Sequence, residues 1–324
     1  MKRILFSALL VMGAALAQDL VIYSGRGEAL VAPLVETYQQ QTGQQVSVRY
    51  GRDAELITAL AEEGQRSSAD LFWGNSPGAL ETLHSAGQFS PLSEGLFKSV
   101  LGYNPADRAW VPLSIRMRVL AYDPAAVSES DLPASVMDLP KHTELKGRIG
   151  WTPTYPSFHD FITAMRKVQG EDATREWLVA MQALEPKAYA SNVPLIQGLL
   201  AGEISVGLTN HYYIQRFLKS GAEIGTHYFA PGDVGSLALV TGAGILTGAQ
   251  HSEAAQSFIE FLLSPQAQQF VTGELMEYPV VSGVVQPQSL LPFSELAERA
   301  PELELSQLND LEGTLALLRE LGIL

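Results

Sequence analysis

The stretch Leu208-Thr209-Asn210-His211-Tyr212-Tyr213 sets two adjacent phenols just behind a polar asparagine. The apolar run before it, residues 204–208, reads as a buried strand, and residues 213–218 read as a helix. The end of a strand and the start of a helix is where open α/β sheets place ligands. The ordinary use of such a pair is ring packing with both hydroxyls on water; the alternative is metal coordination. A tyrosine at pH 7 lies about three units below its pKa of roughly 10. Ionising one therefore costs about 4 kcal/mol, and ionising two neighbours costs more than twice that. Only a highly charged cation offsets such a cost. Ferric iron is hard, trivalent and suited to anionic oxygen, whereas zinc is ordinarily given histidine or thiolate and calcium is given carboxylates and carbonyls. Tyr212 and Tyr213 are therefore candidate Fe(III) ligands.

Two phenolates leave an Fe(III) centre with positive charge and open positions, which a small anion such as carbonate can fill. Anion sites need arginine forks and free N–H groups at helix starts. Arg26 follows the first strand. Arg116 and Arg118 lie two apart on an extended run and so share a face. Ser157 opens one helix with Phe158, and Asn192 opens another. Each arginine alone also reads as a solvated surface charge. What singles them out is their position at strand ends and not on helix faces.

Catalytic patterns are absent from the sequence. It has no Gly-x-Ser-x-Gly elbow, no His-Glu-x-x-His and no phosphate loop. With no cysteine, thiol catalysis is excluded. The six histidines show no ligand spacing, and His159 and Asp160, adjacent on a helix, point different ways. The expectation is a binding protein and not an enzyme.

The elements that must position these residues follow an α/β rhythm. Residues 19–23, 45–50 and 69–73 read as strands, each followed by a helix, with Asp53 placed to cap the second. Residues 110–122 form an apolar run too long for one strand of a small sheet, and residues 236–246 form a second. Both are expected to carry the chain between two lobes. Between them the strand and helix pattern repeats, with strands at 147–151 and 187–189 and helices at 157–169, 174–184 and 193–201. The last part reads as helices at 252–263, 265–272 and 311–321. The expected fold class is α/β and two-lobed. Each lobe is a mixed sheet flanked by helices, and two crossing strands join them with the ligand in the cleft. Residues 18–115 with about 240–275 are expected to form one lobe, and 116–239 with about 276–324 the other.

The 324-residue chain begins with Lys2 and Arg3, an apolar stretch too short to span a membrane, and Ala15-Leu16-Ala17. That is the pattern of a secretory signal peptide over residues 1–17. No lipid-anchor cysteine follows it. The expected location is the periplasm, as a free monomer. Net charge is −14, and −16 once Lys2 and Arg3 are removed, which argues against nucleic acid as a partner.

Motifs in order along the chain extend this reading. They are Val21-Ile22-Tyr23-Ser24-Gly25-Arg26, Ala69-Asp70-Leu71-Phe72, Ser114-Ile115-Arg116-Met117-Arg118-Val119, Gly147-Arg148-Ile149-Gly150-Trp151-Thr152-Pro153-Thr154, Asn210-His211-Tyr212-Tyr213, Thr241-Gly242-Ala243-Gly244-Ile245-Leu246 and Glu277-Tyr278-Pro279-Val280. Over nearly the whole mature sequence the chain resembles the bacterial periplasmic ferric-ion-binding proteins, the solute-binding components of iron ABC importers. The resemblance implies Fe(III) held by Tyr212 and Tyr213 with carbonate or another synergistic anion. It implies anion contacts from Arg26, Arg116, Asn192, Asn210 and the Tyr155-Pro156-Ser157 turn, and delivery to an ABC transporter permease in the inner membrane. Gly27 and Asn75 stand where some members carry histidine and glutamate ligands, and Phe158 stands where others carry a third tyrosine. Tyr155 is the nearby substitute for that third phenol, and Glu28 a further carboxylate whose ordinary role is a helix N-terminal charge. The alternative reading is a periplasmic protein for a small anion or organic solute.

Overall fold

The structure, a computed structural model, describes residues 19–103 and 105–324, so the expected leader at residues 1–17 lies outside the described residues. Strand β1 (Leu20–Ser24) leads through helix α1 (Glu28–Thr42) to β2 (Val46–Tyr50). Helix α2 (Asp53–Glu63), β3 (Leu71–Gly74), α3 (Pro77–Ser85) and the short β4 (Phe89–Ser90) follow. The three longer strands are parallel in the order β2-β1-β3, as the crossover helices require. Asp53 does not cap α2 but begins it. The Glu55 carboxylate accepts the Arg52 amide at 3.1 Å, and Asp53 is left free to turn elsewhere.

Strand β5 (Val111–Tyr122) is buried at every position, which explains its apolar sequence. It joins both lobes. Its first part pairs antiparallel with β10 (Ala238–Leu246), and residues 118–122 pair with β8 (Val206–Asn210). One face carries Ile115, Met117 and Val119, each worth about 1.5–3 kcal/mol of apolar burial. The other face carries Ser114, Arg116 and Arg118, which are buried too and must find polar partners.

In the second lobe β6 (Ile149–Trp151) precedes α4 (Pro156–Val168), α5 (Glu171–Ala183), β7 (Lys187–Ala188) and α6 (Asn192–Leu200). Strand β8, helix α7 (His211–Lys219) and β9 (Gly225–His227) complete it. Strands β7, β6 and β8 are parallel, with β5 antiparallel at the seam. Helix α5 starts three residues before its apolar period does. Gly170, at φ 93°, ends the preceding segment, and Glu171 and Asp172 suit the positive end of the helix.

After β10 come α8 (Ser252–Leu262), α9 (Pro265–Gly273), α10 (Phe293–Arg299) and α11 (Leu311–Glu320). Within residues 276–324 the side chains divide. Tyr278, Val280, Leu290 and Leu296 pack into the core that holds Leu20, Leu71 and Ile115, while Leu308, Leu317 and Leu318 pack with Phe158, Phe161 and Trp177. Ile115 and Tyr278 exchange backbone hydrogen bonds of 2.9 Å in both directions.

Candidate metal site

Strand β8 delivers Asn210 to the N-cap of α7, but the Asn210 side chain makes no cap bond there. Its Oδ1 accepts Arg118 Nη1 at 3.3 Å instead, and its Nδ2 has no protein partner. His211 fixes the start of the helix. Its Nδ1 accepts the Met117 amide at 3.1 Å, and its Nε2 donates to the Met276 carbonyl at 3.0 Å. Those two bonds require the neutral ring, and burial holds its pKa down at about 4. His211 is therefore a clamp between elements.

The next two residues stack, with the rings of Tyr212 and Tyr213 centred 4.0 Å apart and tilted by 33°. Tyr155 comes to them from the N-cap of α4, where Pro156 sits at a position that needs no N–H. The Tyr155 and Tyr213 hydroxyls lie 2.9 Å apart. The Tyr212 hydroxyl is fully buried and has no hydrogen-bond partner in the protein. Burial pushes all three phenols above the usual tyrosine range, and the neighbouring phenols add to it. Arg116 and Arg26 pull each of Tyr155 and Tyr212 back down, and Arg116 does the same for Tyr213. Asn192, the first residue of α6, is fully buried with neither Nδ2 nor Oδ1 paired. Ser157 accepts the other bond of Arg118 Nη1, also at 3.3 Å. Arg118 lies over the Phe161 ring at 5.3 Å with Nη2 unpaired. Burial brings its pKa down to about 9, opposed by the charge of Asp160 and helped to a lesser degree by that of Arg116.

On the first-lobe face the arginines are engaged. Arg26 grips Glu277 through both oxygens, at 3.2 and 2.7 Å, and neither side chain is more than 2% exposed. Ser114 donates to the same carboxylate and meets Thr241 at 2.9 Å. Burial alone would raise the Glu277 pKa, but Arg26, Arg116 and these hydrogen bonds hold it below the usual carboxylate range. Arg116 donates to Asn75 Oδ1 at 3.0 Å and to the Asn75 carbonyl.

The structure thus brings Tyr155, Tyr212 and Tyr213 together, and sets Ser157, Asn192, Asn210 and Arg118 on the same lobe. Arg26 and Arg116 sit across the cleft, each committed to a protein partner. Phe158 lies in the second core between Trp151 and Phe161, and Gly27 and Glu28 are exposed. Among the described residues no group of three or more His, Asp or Glu side chains is placed to hold a metal. A metal bound in this cleft would therefore need phenolate oxygen. Sequence reasoning missed Glu277 as the partner of Arg26, although a lone carboxylate among Met276, Tyr278, Pro279 and Val280 signals a buried counter-charge.

Residues 20–274 match the family of bacterial extracellular solute-binding proteins. The Fe(3+)-binding periplasmic protein of Serratia marcescens is 32% identical over 330 residues, covering 98% of this chain and 95% of that one. The major ferric iron-binding protein of Neisseria meningitidis serogroup B is 31% identical, covering 99% and 97%. The crystal structure of iron-bound HitA from Pseudomonas aeruginosa superposes with a TM-score of 0.88 at 32% identity, over 94% of this chain and 99% of that one.

Proposed function

Because the chain belongs to the bacterial extracellular solute-binding proteins, within the periplasmic ferric-ion-binding family, we propose that it captures Fe(III) in the periplasm and hands it to an ABC importer. The observation that carries the reading is the phenol cluster. The Tyr212 hydroxyl, buried and unpaired, stacks beside a Tyr155–Tyr213 hydroxyl pair at 2.9 Å. An octahedral ion with metal–oxygen bonds of about 2.0–2.1 Å, the length magnesium uses, holds adjacent oxygens about 2.9 Å apart. Tyr212 and Tyr213 are the principal ligands in this reading, and Tyr155 is the third.

Fe(III) supplies the charge that offsets ionising the phenols, and the protein's own residues prepare for it. Arg26 and Arg116, although tied to Glu277 and Asn75, lower the cost of a phenolate by their field. A synergistic anion, with carbonate as the first choice, is received by Asn192, Asn210, Ser157 and the free Nη2 of Arg118. Arg26 and Arg116 act on it electrostatically from across the cleft. The lobes divide near Met117 in β5 and at the start of β10, and residues 276–296 ride with the first lobe. Closure about those strands encloses the cargo, and the monomer docks on an inner-membrane permease.

A visible absorption titration with chelated Fe(III), with and without bicarbonate, tests the reading. The expected result is a phenolate-to-iron band that saturates at one equivalent, needs bicarbonate and is lost in the Tyr212→Phe/Tyr213→Phe double variant. The unpaired amide of Asn192 and guanidinium of Arg118 support one other reading, a binder of a small anion or organic solute. Tight binding of carbonate or phosphate by calorimetry, with no band at any iron level, would establish it instead.

A further inference from the structure

A cavity of about 350 Å³ lies at the seam between the lobes, and none of the three phenols lines it. Its first-lobe wall includes Arg52, just ahead of α2. Its second-lobe wall includes Pro156 and His159 on α4, and Leu311, Leu315 and Arg319 on α11. Leu56 of α2 packs into the first core, whereas Leu317 and Leu318 of α11 pack into the second. Helix α11 is fixed on α4. The Thr163 and Thr314 hydroxyls meet at 2.7 Å, and Arg166 pairs with Asp310 at 2.9 Å. The cavity thus has one firm wall, and it exists only while the other lobe stands against it.

The charges around it are unevenly engaged. Among the described residues, neither Arg52 nor Arg319 has a carboxylate, side-chain or terminal, within 4.0 Å, and both are exposed. The two acidic side chains in the lining have tasks of their own. Glu55 accepts the Arg52 amide at 3.1 Å, and Asp53 turns Oδ1 to the Asn75 amide at 3.1 Å with Oδ2 buried. His159 adds no charge. Its Nε2 donates to the Pro153 carbonyl at 2.8 Å, and burial holds its pKa down at about 4. In a chain of net charge −14, two unpaired cations and an aliphatic wall around one cavity suit an anion with an apolar body.

We propose that this cavity binds a medium-chain carboxylic acid, with its carboxylate between Arg52 and Arg319 and its hydrocarbon chain along Leu311, Leu315 and Pro156. Volume sets the length. At about 30 Å³ for each water-sized group, the cavity has room for roughly ten non-hydrogen atoms, the size of octanoate. Because the two arginines belong to different lobes, an acid held by both spans the seam and favours the lobes together. The inference concerns a second ligand and does not depend on what occupies the phenol cleft.

Equilibrium dialysis of the iron-free protein with radiolabelled octanoate tests this, with circular dichroism to verify that each variant is folded. The wild type should saturate at one equivalent. Excess acetate, which lacks the chain, and excess octylamine, which lacks the anion, should not displace the label. Arg52→Gln and Arg319→Gln, both at exposed positions, should each weaken binding at least about tenfold. Leu315→Trp fills the cavity and should abolish binding, whereas Tyr212→Phe/Tyr213→Phe should bind as the wild type does. No saturable uptake, displacement by octylamine, or an affinity unmoved by either arginine change would overturn the proposal. Binding lost in the tyrosine variant but kept in Leu315→Trp would move the acid to the phenol cleft and overturn it too. No metal is present in this experiment, so its failure leaves the iron titration standing as a separate result.

Discussion

On the first-lobe face of the cleft, Arg26 is matched by Glu277, Glu277 by Ser114, and Arg116 by Asn75. Arg26, Arg116 and Asn75 each leave one buried nitrogen unpaired, but on the second-lobe face the Tyr212 hydroxyl and both polar atoms of Asn192 have no protein partner at all, with Asn210 Nδ2 and Arg118 Nη2 unpaired beside them. Burying an unpaired polar group costs about 1–3 kcal/mol, so a fold tolerates several in one place only for a reason outside its own stability. The face closed by the Arg26–Glu277 ion pair reads as framework, and the face where a phenol and an amide side chain are wholly unpaired reads as the surface for cargo. The contrast also reassigns weight within the cleft. In the proposed site Arg26 and Arg116, tied to Glu277 and Asn75, act mainly through their field, while Asn192, Asn210 and Arg118 are the direct contacts.

The largest test of this contrast is Tyr212→Phe. Loss of one phenolate should weaken Fe(III) binding at least about a thousandfold, or about 4 kcal/mol, in chelator competition. The same change should leave the denaturant midpoint of the iron-free protein unchanged or slightly raised, because the hydroxyl removed has no partner. Glu277→Gln should do the reverse. It strands Arg26 in the interior and should cost about 3–5 kcal/mol in urea unfolding, with the iron band retained at low temperature. A third effect comes from proton release. The phenols lie above the ordinary tyrosine range in the metal-free protein and must lose protons to bind. Affinity should rise with pH by about a hundredfold per unit where two protons leave, and fall by as much on acidification. The smallest effect is Asn192→Ala, which should raise the bicarbonate needed for half-formation of the band about tenfold, or about 1.4 kcal/mol. A larger loss from Asn192→Ala than from Tyr212→Phe would invert the assignment of cargo from metal to anion.

Much of this architecture is legible in local sequence. The apolar lengths of β5 and β10 announce strands that cross between lobes, and the strand–Asn–His–Tyr–Tyr–helix order points to the proposed site. Periodicity and strand ends are local properties, and they survive folding. Pairing over long sequence distances is not local. Arg26 finds Glu277 at a separation of 251 residues, and nothing near Arg26 says whether its charge faces solvent, an anion or a carboxylate. Asp53 illustrates the same limit. Its position fits a helix cap by every nearby rule, yet its carboxylate turns to the Asn75 amide on another loop. The burial of Asp160 is silent in sequence because an acidic residue on an amphipathic helix ordinarily faces water. The place of Tyr155 beside Tyr213 was readable only as a substitute for a missing ligand, since the turn that carries it has no periodicity.

The three residues Met276, Glu277 and Tyr278 bind in turn to His211 on α7, Arg26 after β1, and Ile115 on β5. One short segment thus ties the helix that bears the phenols to the first strand and to the strand that crosses the seam. Melting either core would have to break that tie, and the other core would lose its buried ion pair or its helix clamp in the same event. Heat should therefore take the whole chain apart in a single cooperative step, although its architecture has two lobes.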